Sequence, residues 1–321
     1  MAIAATSLAS FRRAGNPAVV VGTTYRPGLV DDSGMETRRL RLLVELSRLG
    51  SMRAVADELH ITTSTVSQQL AVLAREAGTT LTEPDGRRVR LTPAGQRLAG
   101  HGVTILAAVE AARLDLDPDA EPAGALRVAG FATAVRRSLL PIAATLARTT
   151  PRVRLLIHEH EPFEAFELLA MDAVDLALTY DYNLAPAVFD QGLEAVPLWE
   201  VPWGLAVPRD APATEFAGFA ADDWIVNSRN TADEDVVRTV ASLVGFTPRI
   251  VHRADSLDLV QDMIVAGLGV GLLPMDEPTL PGVRLLPLTG AQVRLRCYAV
   301  TRCGRAGWPP LALVLGLLSA G

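Results

Sequence analysis

The chain has 321 residues, 49% of them hydrophobic, which is enough for a sizeable core and too many for a single small domain. No apolar run reaches the roughly 18 to 20 residues needed to span a bilayer, and the first residues lack a signal-peptide pattern, so we expect a cytoplasmic protein with no membrane partner. The net charge is −6, yet residues 35–116 carry 11 arginines against 9 acidic residues while residues 117–321 carry 16 against 25.

Residues 1–34 mix Ala, Gly, Pro, Arg and Thr without periodicity. Such a composition predicts a disordered extension, because it offers little apolar surface to bury. Met35 is then the expected start of the folded chain.

Two short helices are predicted next. Ser51 can cap the first, and Thr62, after a three-residue turn, can cap the second. Val66, Leu70 and Leu73 recur at i, i+4 and i+7, so one face of the second helix is expected to be buried. Its other face is nearly uncharged and carries hydroxyl and amide groups that can enter a major groove: Thr63, Ser64, Thr65, Ser67, Gln68 and Gln69.

An arginine-rich hairpin is predicted after these helices. Pro84-Asp85-Gly86 is a turn signal, and Arg87, Arg88 and Arg90 alternate with aliphatic residues, so the arginines should face outward. Arginines in this position suit phosphate contact or minor-groove insertion. Residues 35–93 are therefore predicted to form a winged helix-turn-helix for duplex DNA. For the helices alone, a solvated helix in an unrelated helical domain is the alternative. The predicted DNA contacts are Ser51, Thr62, the six polar residues that follow it, and the three arginines.

A long helix is predicted to follow the hairpin. Thr92 can cap it, with Pro93 at the first helical position, and apolar residues continue to Leu116. Residues 94–117 are long enough to pair with a second copy, which predicts a homodimer. The acidic, proline-containing stretch to Gly124 ends the helix and marks a domain boundary.

From residue 124 to the end, strand and helix patterns alternate, which predicts an α/β domain with a parallel sheet covered on both faces. The interval 196–207 is predicted to be two strands broken by Pro202. The other predicted strands are 125–131, 153–158, 174–180, 224–226, 248–252, 272–274, 283–287 and 293–300, and the helices are 132–149, 163–171, 233–244, 256–266 and 310–319.

Catalytic and metal chemistry finds little support in this pattern. The glycines at 267, 269 and 271 follow a helix and lack the spacing of a dinucleotide-binding turn. His158 and His160 share one side of a strand, but no further ligand cluster accompanies them, so no metal and no enzyme are predicted. Cys297 and Cys303, six positions apart, are either buried bystanders or a redox pair.

The chain resembles the LysR-type bacterial transcriptional regulators. The motifs that carry the likeness are Ala54-Val55-Ala56-Asp57-Glu58-Leu59-His60-Ile61, Val66-Ser67-Gln68-Gln69-Leu70, Val89-Arg90-Leu91-Thr92-Pro93-Ala94-Gly95, Leu139-Leu140-Pro141, Val174-Asp175-Leu176-Ala177-Leu178 and Val265-Ala266-Gly267-Leu268-Gly269-Val270-Gly271-Leu272-Leu273-Pro274. Thr63, Thr82 and Pro84 depart from the family, which usually has Gln, an aromatic residue and a basic residue there.

The resemblance implies an effector-binding domain of two α/β lobes joined by crossing strands, as in periplasmic binding proteins. Lobe I is expected at about 124–197 and 279–321, and lobe II at about 198–278. A small-molecule effector of unknown identity would bind between them, with no other cofactor, and the implied partners are promoter DNA, a homodimer or homotetramer, and RNA polymerase.

Thr133 is the leading effector-binding candidate, because a hydroxyl beside helix N-terminal amides can hold a carboxylate. Arg136 and Arg137 would add positive charge for an anionic effector. The further candidates lie at strand ends or turns expected to face the cleft: Tyr180, Asp181, Pro202, Asn227, Ser228 and Gly267. An effector-independent DNA-binding protein, and a solute-binding or enzymatic α/β protein, remain as alternatives.

Overall fold

The computed structural model describes residues 35–320, apart from positions 87, 118, 119, 214, 230, 289 and 291 and the side chain of Arg88. The extension predicted at residues 1–34 lies outside the described residues.

Three helices and a hairpin form the first domain; the second and third helices and the hairpin were predicted, and α1 was not. They are α1 (Thr37–Leu49), α2 (Met52–Glu58), α3 (Thr63–Glu76), β1 (Thr82–Asp85) and β2 (Arg88–Leu91).

The two predicted caps hold the helix-turn-helix in place. Ser51 Oγ accepts a hydrogen bond from the Ala54 amide at 3.1 Å, and Thr62 Oγ1 accepts one from the Thr65 amide at 3.1 Å. Each bond satisfies an amide that has no partner within its own helix. The start of α3, and therefore the direction of its exposed face, is fixed by side chains local in sequence.

Helix α4 (Pro93–Leu116) begins at the predicted Thr92 cap. Thr92 Oγ1 accepts from the Gly95 amide at 3.0 Å and donates to the Thr80 carbonyl at 2.7 Å, which joins the helix to the chain leading into the hairpin. Gly95 lies so close to the hairpin that an added Cβ would stand 2.1 Å from the Leu81 carbonyl oxygen. Only glycine permits this contact.

Within the described residues the second domain contains six α-helices, a π-helical turn, a short 3-10 helix (Phe216–Phe219) and nine strands. In chain order they are β3 (Gly124–Gly130), α5 (Ala132–Ala134), which continues through a π-helical turn (Val135–Leu139) into α6 (Leu140–Thr149), β4 (Val153–Glu159), α7 (Pro162–Ala170), β5 (Leu176–Tyr182), β6 (Leu193–Pro208), β7 (Asp223–Val226), α8 (Ala232–Leu243), β8 (Arg249–Arg253), α9 (Leu257–Val265), β9 (Val270–Pro274), β10 (Val283–Leu286), β11 (Val293–Arg302) and α10 (Pro309–Ser319).

The sheet is mixed, which corrects the prediction of a parallel one. Its order is β4-β3-β5-β11-β6-β9-β7-β8, and β10 also pairs with β6. β3 is parallel to β4 and β5, and β7 is parallel to β8 and β9, whereas β6 and β11 are antiparallel to each of their neighbours. The reason is that β6 leaves the first group of strands for the second while β11 returns, so these two crossing strands run in opposite directions.

The crossing strands divide the domain into two lobes. β6 pairs with β11 over residues 193–203 and with β9 and β10 over residues 203–208. We call β3–β5, β11 and the first part of β6 lobe I, and β7–β10 and the end of β6 lobe II. Because β10 pairs with lobe II, the return crossing lies after it, later than the predicted boundary at residue 279.

β6 is one continuous strand of 16 residues, so the predicted break at Pro202 is wrong. The Pro202 carbonyl accepts a hydrogen bond from the Met275 amide at 2.9 Å, toward lobe II. In an antiparallel strand the nitrogen and carbonyl of one residue face the same side. The missing N–H of Pro202 therefore costs the β6–β11 ladder no hydrogen bond.

Candidate functional sites

Helix α3 presents a polar face to solvent. Thr63, Ser64, Ser67 and Gln68 are exposed along it. At its first turn, Thr62 Oγ1 lies 2.8 Å from both Ser64 Oγ and Thr65 Oγ1. The face therefore offers hydroxyl and amide groups whose helix is held from behind by buried Val66, Leu70 and Leu73.

Gln69 and Ser51 differ from the other predicted DNA contacts, because the protein already engages their side chains. Gln69 Oε1 accepts a hydrogen bond from Arg39 Nε at 3.0 Å, which places this amide at the contact between α3 and α1. Ser51 is occupied as the cap of α2.

The hairpin places Arg90 on its surface. Arg90 Nη2 lies 2.8 Å from Glu83 Oε1 on the neighbouring strand, and both side chains are exposed. Of the other two predicted arginines, Arg88 has only its backbone described, in β2, and Arg87 lies outside the described residues. An exposed pair of this kind is weak, so Arg90 remains available to another anion.

A cavity of about 180 Å³ lies between the two lobes. Five of the residues predicted to contact the effector line it: Thr133, Arg136, Arg137 and Tyr180 from lobe I and Asn227 from lobe II. Four others, Asp181, Pro202, Ser228 and Gly267, do not line it.

Strand alternation explains two of these four. Tyr180 faces the cavity, so its neighbour Asp181 points away, where its carboxylate accepts two hydrogen bonds from Arg296 at 2.8 and 2.7 Å. On β6 it is Val201 and Trp203 that line the cavity, while Pro202 between them is exposed on the other face.

The other two have local structural roles. The Ser228 amide donates to Asp255 Oδ1 at 2.8 Å, and Asp255, not Ser228, lines the cavity. Gly267 follows the end of α9 with φ of 74°, and its amide donates to the Ile264 carbonyl at 3.0 Å. It is a helix-terminating residue.

Aromatic rings that the sequence analysis did not single out form one wall of the cavity. Phe131 packs edge-to-face on Tyr180 with ring centroids 4.6 Å apart, and lies 6.3 Å from Trp199. Trp203 lines the same cavity. Positions 199, 201 and 203 alternate along β6, so a strict two-residue period applied to this strand would have found them.

Two buried carboxylates were also missed. Glu161, only 4% exposed, accepts hydrogen bonds at Oε2 from Tyr180 Oη at 3.0 Å and Asn227 Nδ2 at 3.3 Å. Burial raises the pKa of Glu161 to about 7, although the Tyr180 hydrogen bond opposes the rise. Burial also raises the pKa of Asp233, to about 6.

Asp233 Oδ1 is buried and has no hydrogen bond of normal geometry in the described part of the chain. In the sequence Asp233 opens a run of three acidic residues at a helix start, a pattern that the helix dipole explains by itself. Glu161 precedes Pro162 at another helix start, where a carboxylate is ordinary as well. Neither residue therefore carried a local signal of a site.

Ion pairs connect the two lobes around the cavity. From lobe I, Arg137 lies 2.8 Å from Asp276 and Arg136 lies 3.8 Å from Asp258. From lobe II, Arg229 lies 3.4 Å from Glu164. These contacts are exposed, so each of them contributes little to stability.

Metal ligands, membrane-spanning helices and the two cysteines can be assessed only in the described residues. No group of three His, Cys, Asp or Glu is placed to hold a metal, and no helix is long and apolar enough to cross a bilayer. Cys297 is buried and Cys303 exposed, both as free thiols, and burial raises the pKa of the Cys297 thiol.

Comparison with known proteins identifies both domains. A model of the LysR substrate binding domain matches residues 119–320, and a model of the bacterial regulatory helix-turn-helix protein, lysR family, matches residues 37–96. The DNA-binding transcriptional dual regulator OxyR of Escherichia coli is 28% identical over 84% of this chain and 90% of its own length. The transcriptional dual regulator GltC of Bacillus subtilis is 26% identical over 75% of this chain and 81% of its own.

Solved structures agree in fold. Full-length OxyR from Pseudomonas aeruginosa, in a variant form, superposes with a TM-score of 0.66 at 19% identity, covering 89% of this chain and 97% of that one. Full-length CbnR complexed with its target DNA superposes with a TM-score of 0.50 at 21% identity, covering 89% of this chain and 99% of that one.

Proposed function

Because the chain belongs to the LysR family of bacterial transcriptional regulators, we propose that it binds duplex promoter DNA through α3 and the β1–β2 hairpin, and that a small molecule between its lobes controls this binding. The observation that carries the proposal is the exposed, uncharged face of α3, held by side-chain caps beside an arginine-bearing hairpin. We assign the protein no catalytic role, in keeping with the relatives, which are named as regulators.

Base reading is assigned to the exposed part of α3. Gln68 has the amide that pairs with the N6 and N7 positions of adenine, and the hydroxyls of Ser64 and Ser67 flank it. Arg90 is assigned to a phosphate, with Arg87 and Arg88 remaining predicted contacts. Gln69 and Ser51 are given a supporting role, since they orient α3 and α2.

The protein is proposed to work as a homodimer or a dimer of dimers in the cytoplasm. Helix α4 leaves Ile105 and Leu116 exposed, at 37% and 82%, and its apolar positions are the proposed contact with a second copy. Two copies present two α3 helices to one operator. RNA polymerase is the expected further partner at the promoter.

Control by an effector follows from the position of the cavity. Tyr180 of lobe I and Asn227 of lobe II both line it, so a ligand there contacts both lobes. A ligand shifts a conformational equilibrium only as far as its affinity differs between the two states. The relation between the lobes is therefore the quantity that an effector would change.

The test is binding of the purified full-length protein to the DNA upstream of its own gene, across a salt series. Gln68→Ala should change the preference among operator variants by about 1–3 kcal/mol at particular adenines. Gln191→Ala is the matched control, because Gln191 is an exposed glutamine in lobe I.

The same assay separates phosphate contact from base reading. Arg90→Ala should weaken binding to all sequences alike and lower the salt slope by about one. The control is Arg154→Ala, an exposed arginine on β4. Binding no tighter to upstream DNA than to random DNA, with or without candidate effectors, would contradict the proposal.

A further inference from the structure

We propose that the cavity between the lobes binds a protonated organic amine with an apolar body. The inference rests on the proposed function, because it names the chemical class of the effector. It replaces the carboxylate-bearing effector that Thr133, Arg136 and Arg137 predicted from the sequence.

Two buried carboxyl groups in the cavity can accept further hydrogen bonds. Asp233 lines the cavity, and its Oδ1 is buried without a hydrogen bond of normal geometry among the described residues; the neutral Tyr182 hydroxyl and the Asn227 backbone lower the pKa of Asp233, but burial outweighs them. Glu161 lines the same cavity and is 4% exposed; among the described residues its Oε2 receives hydrogen bonds from the neutral Tyr180 and Asn227. Neither group forms an ion pair among the described residues, and Arg229 acts on Glu161 without a hydrogen bond, so ionising either carboxyl group in this cavity is costly. An ammonium group supplies both the charge and three N–H donors.

The cavity wall has an excess of acidic side chains. Six carboxylate side chains line it, against two guanidinium groups. The acidic residues are Glu159, Glu161, Asp233, Asp255, Asp276 and Glu277.

Both guanidinium groups are already engaged. Arg137 pairs with Asp276 at 2.8 Å and lies over the ring of Trp199 at 4.8 Å, and Arg136 lies 3.8 Å from Asp258 of lobe II. Arg229 pairs with Asp255 at 2.7 Å and lies 3.8 Å from Glu159, which leaves Glu161, Asp233 and Glu277 as the lining carboxylates outside these pairs. An anionic effector would have to break the arginine pairs and then face these three carboxylates. A cationic effector meets a site whose excess charge is opposite to its own.

One wall of the cavity is aromatic. Phe131, Tyr180, Trp199 and Trp203 line the cavity together. Such rings accept an apolar body, and their faces attract a cation. The space of about 180 Å³ suits a small amine.

The placement of the two carboxylates connects this ligand to regulation. Glu161 belongs to lobe I and Asp233 to lobe II. One ammonium group contacted by both draws the lobes together, so the amine has a higher affinity for the closed arrangement. This difference in affinity is what control by a ligand requires.

The experiment uses three probes of similar size and different charge: benzylamine, benzyl alcohol and benzoate. Each is titrated calorimetrically into the full-length protein without DNA, with thermal unfolding as a second readout. We expect benzylamine to bind more tightly than benzyl alcohol and to raise the unfolding temperature most, and benzoate to bind least. This comparison uses the unaltered chain, so it does not depend on any variant folding.

Variants then locate the site. Glu161→Gln and Asp233→Asn should each weaken benzylamine binding about tenfold or more, the effect of losing a charged hydrogen-bond partner. Glu167→Gln and Asp210→Asn, which change exposed carboxylates away from the cavity, should leave the affinity unchanged.

Benzoate binding as tightly as benzylamine, no benzylamine binding, or unaltered affinity in both folded cavity variants would overturn the inference. The DNA assay above is scored separately. Selective DNA binding without amine binding rejects only the amine, whereas amine binding without selective DNA binding rejects the proposed regulator.

Discussion

Replacing Glu161 with Gln should remove a large pH dependence from the stability of this protein. Burial raises the pKa of Glu161 from 4.5 to about 7 in the folded chain. Between these two values the folded state holds a proton that the unfolded state has lost, so the free energy of unfolding falls as pH rises. At 1.36 kcal/mol per pKa unit, the loss amounts to roughly 3 kcal/mol.

Several neighbouring groups also affect the pKa of Glu161. Asp233 and Asp255 carry like charge that favours the protonated form, while Arg229 and the Tyr180 hydroxyl favour the ionised form. Asp233 itself has a raised pKa of about 6, so the two carboxyls titrate in overlapping ranges. Both shifts have the same sign, and the wild-type protein should therefore be more stable at about pH 5 than at about pH 8.5.

The assay is urea unfolding of three proteins, the wild type, Glu161→Gln and Glu167→Gln, at about pH 5 and about pH 8.5. Because the interval begins above the unfolded pKa, wild type and the Glu167→Gln control should lose roughly 2–3 kcal/mol more over it than Glu161→Gln does. Equal pH slopes in all three proteins would refute the reasoning, because they would mean that Glu161 is not held in its protonated form by folding.

Two further predictions concern packing and a buried ion pair. Gly95→Ala should lower the free energy of unfolding by about 1–3 kcal/mol in urea unfolding, because the added methyl group overpacks the contact between the hairpin and α4. The control is Gly100→Ala, whose added Cβ meets nothing closer than 3.5 Å and which should be neutral or slightly stabilising. Equal effects of the two changes would show that the close approach at Gly95 is absent. Asp175→Asn should lower the free energy of unfolding by about 3 kcal/mol, because Asp175 is buried and accepts hydrogen bonds from Arg127 and Arg305, each at 2.7 Å. A loss no larger than that of the exposed control Asp190→Asn would contradict a structural role for these ion pairs.

Features determined within one turn of chain were predictable from the sequence. The caps at Ser51, Thr62 and Thr92 need only a hydroxyl three residues before a free amide, and all three form as expected. The strand and helix pattern of the second domain was equally accessible. The predicted break at Pro202 was wrong because a proline interrupts a strand only where its nitrogen faces a partner strand, which depends on how the neighbouring strands pair.

The cavity was harder to predict because its members come from distant parts of the chain. Asn227 and Glu161 are 66 positions apart and meet through the pairing of the lobes. Side chains alternate between the two faces of a strand, so only one of two neighbouring residues can face the cavity. This rule separates Tyr180 from Asp181. Nothing local distinguishes Asp233 from an acidic residue at any helix start.

Strand β11 connects the cavity with the long helix α4. Leu295, near its beginning, lines the cavity. Gly304, just beyond its end, lies against Thr104 of α4 so closely that an added Cβ would stand 2.3 Å from the Thr104 hydroxyl. The ten residues of β11 span about 30 Å, so one strand runs from the cavity to α4. A side chain at position 304 would clash with Thr104, and the bare backbone there lets the end of the strand pack directly against the helix that leads to the DNA-binding head.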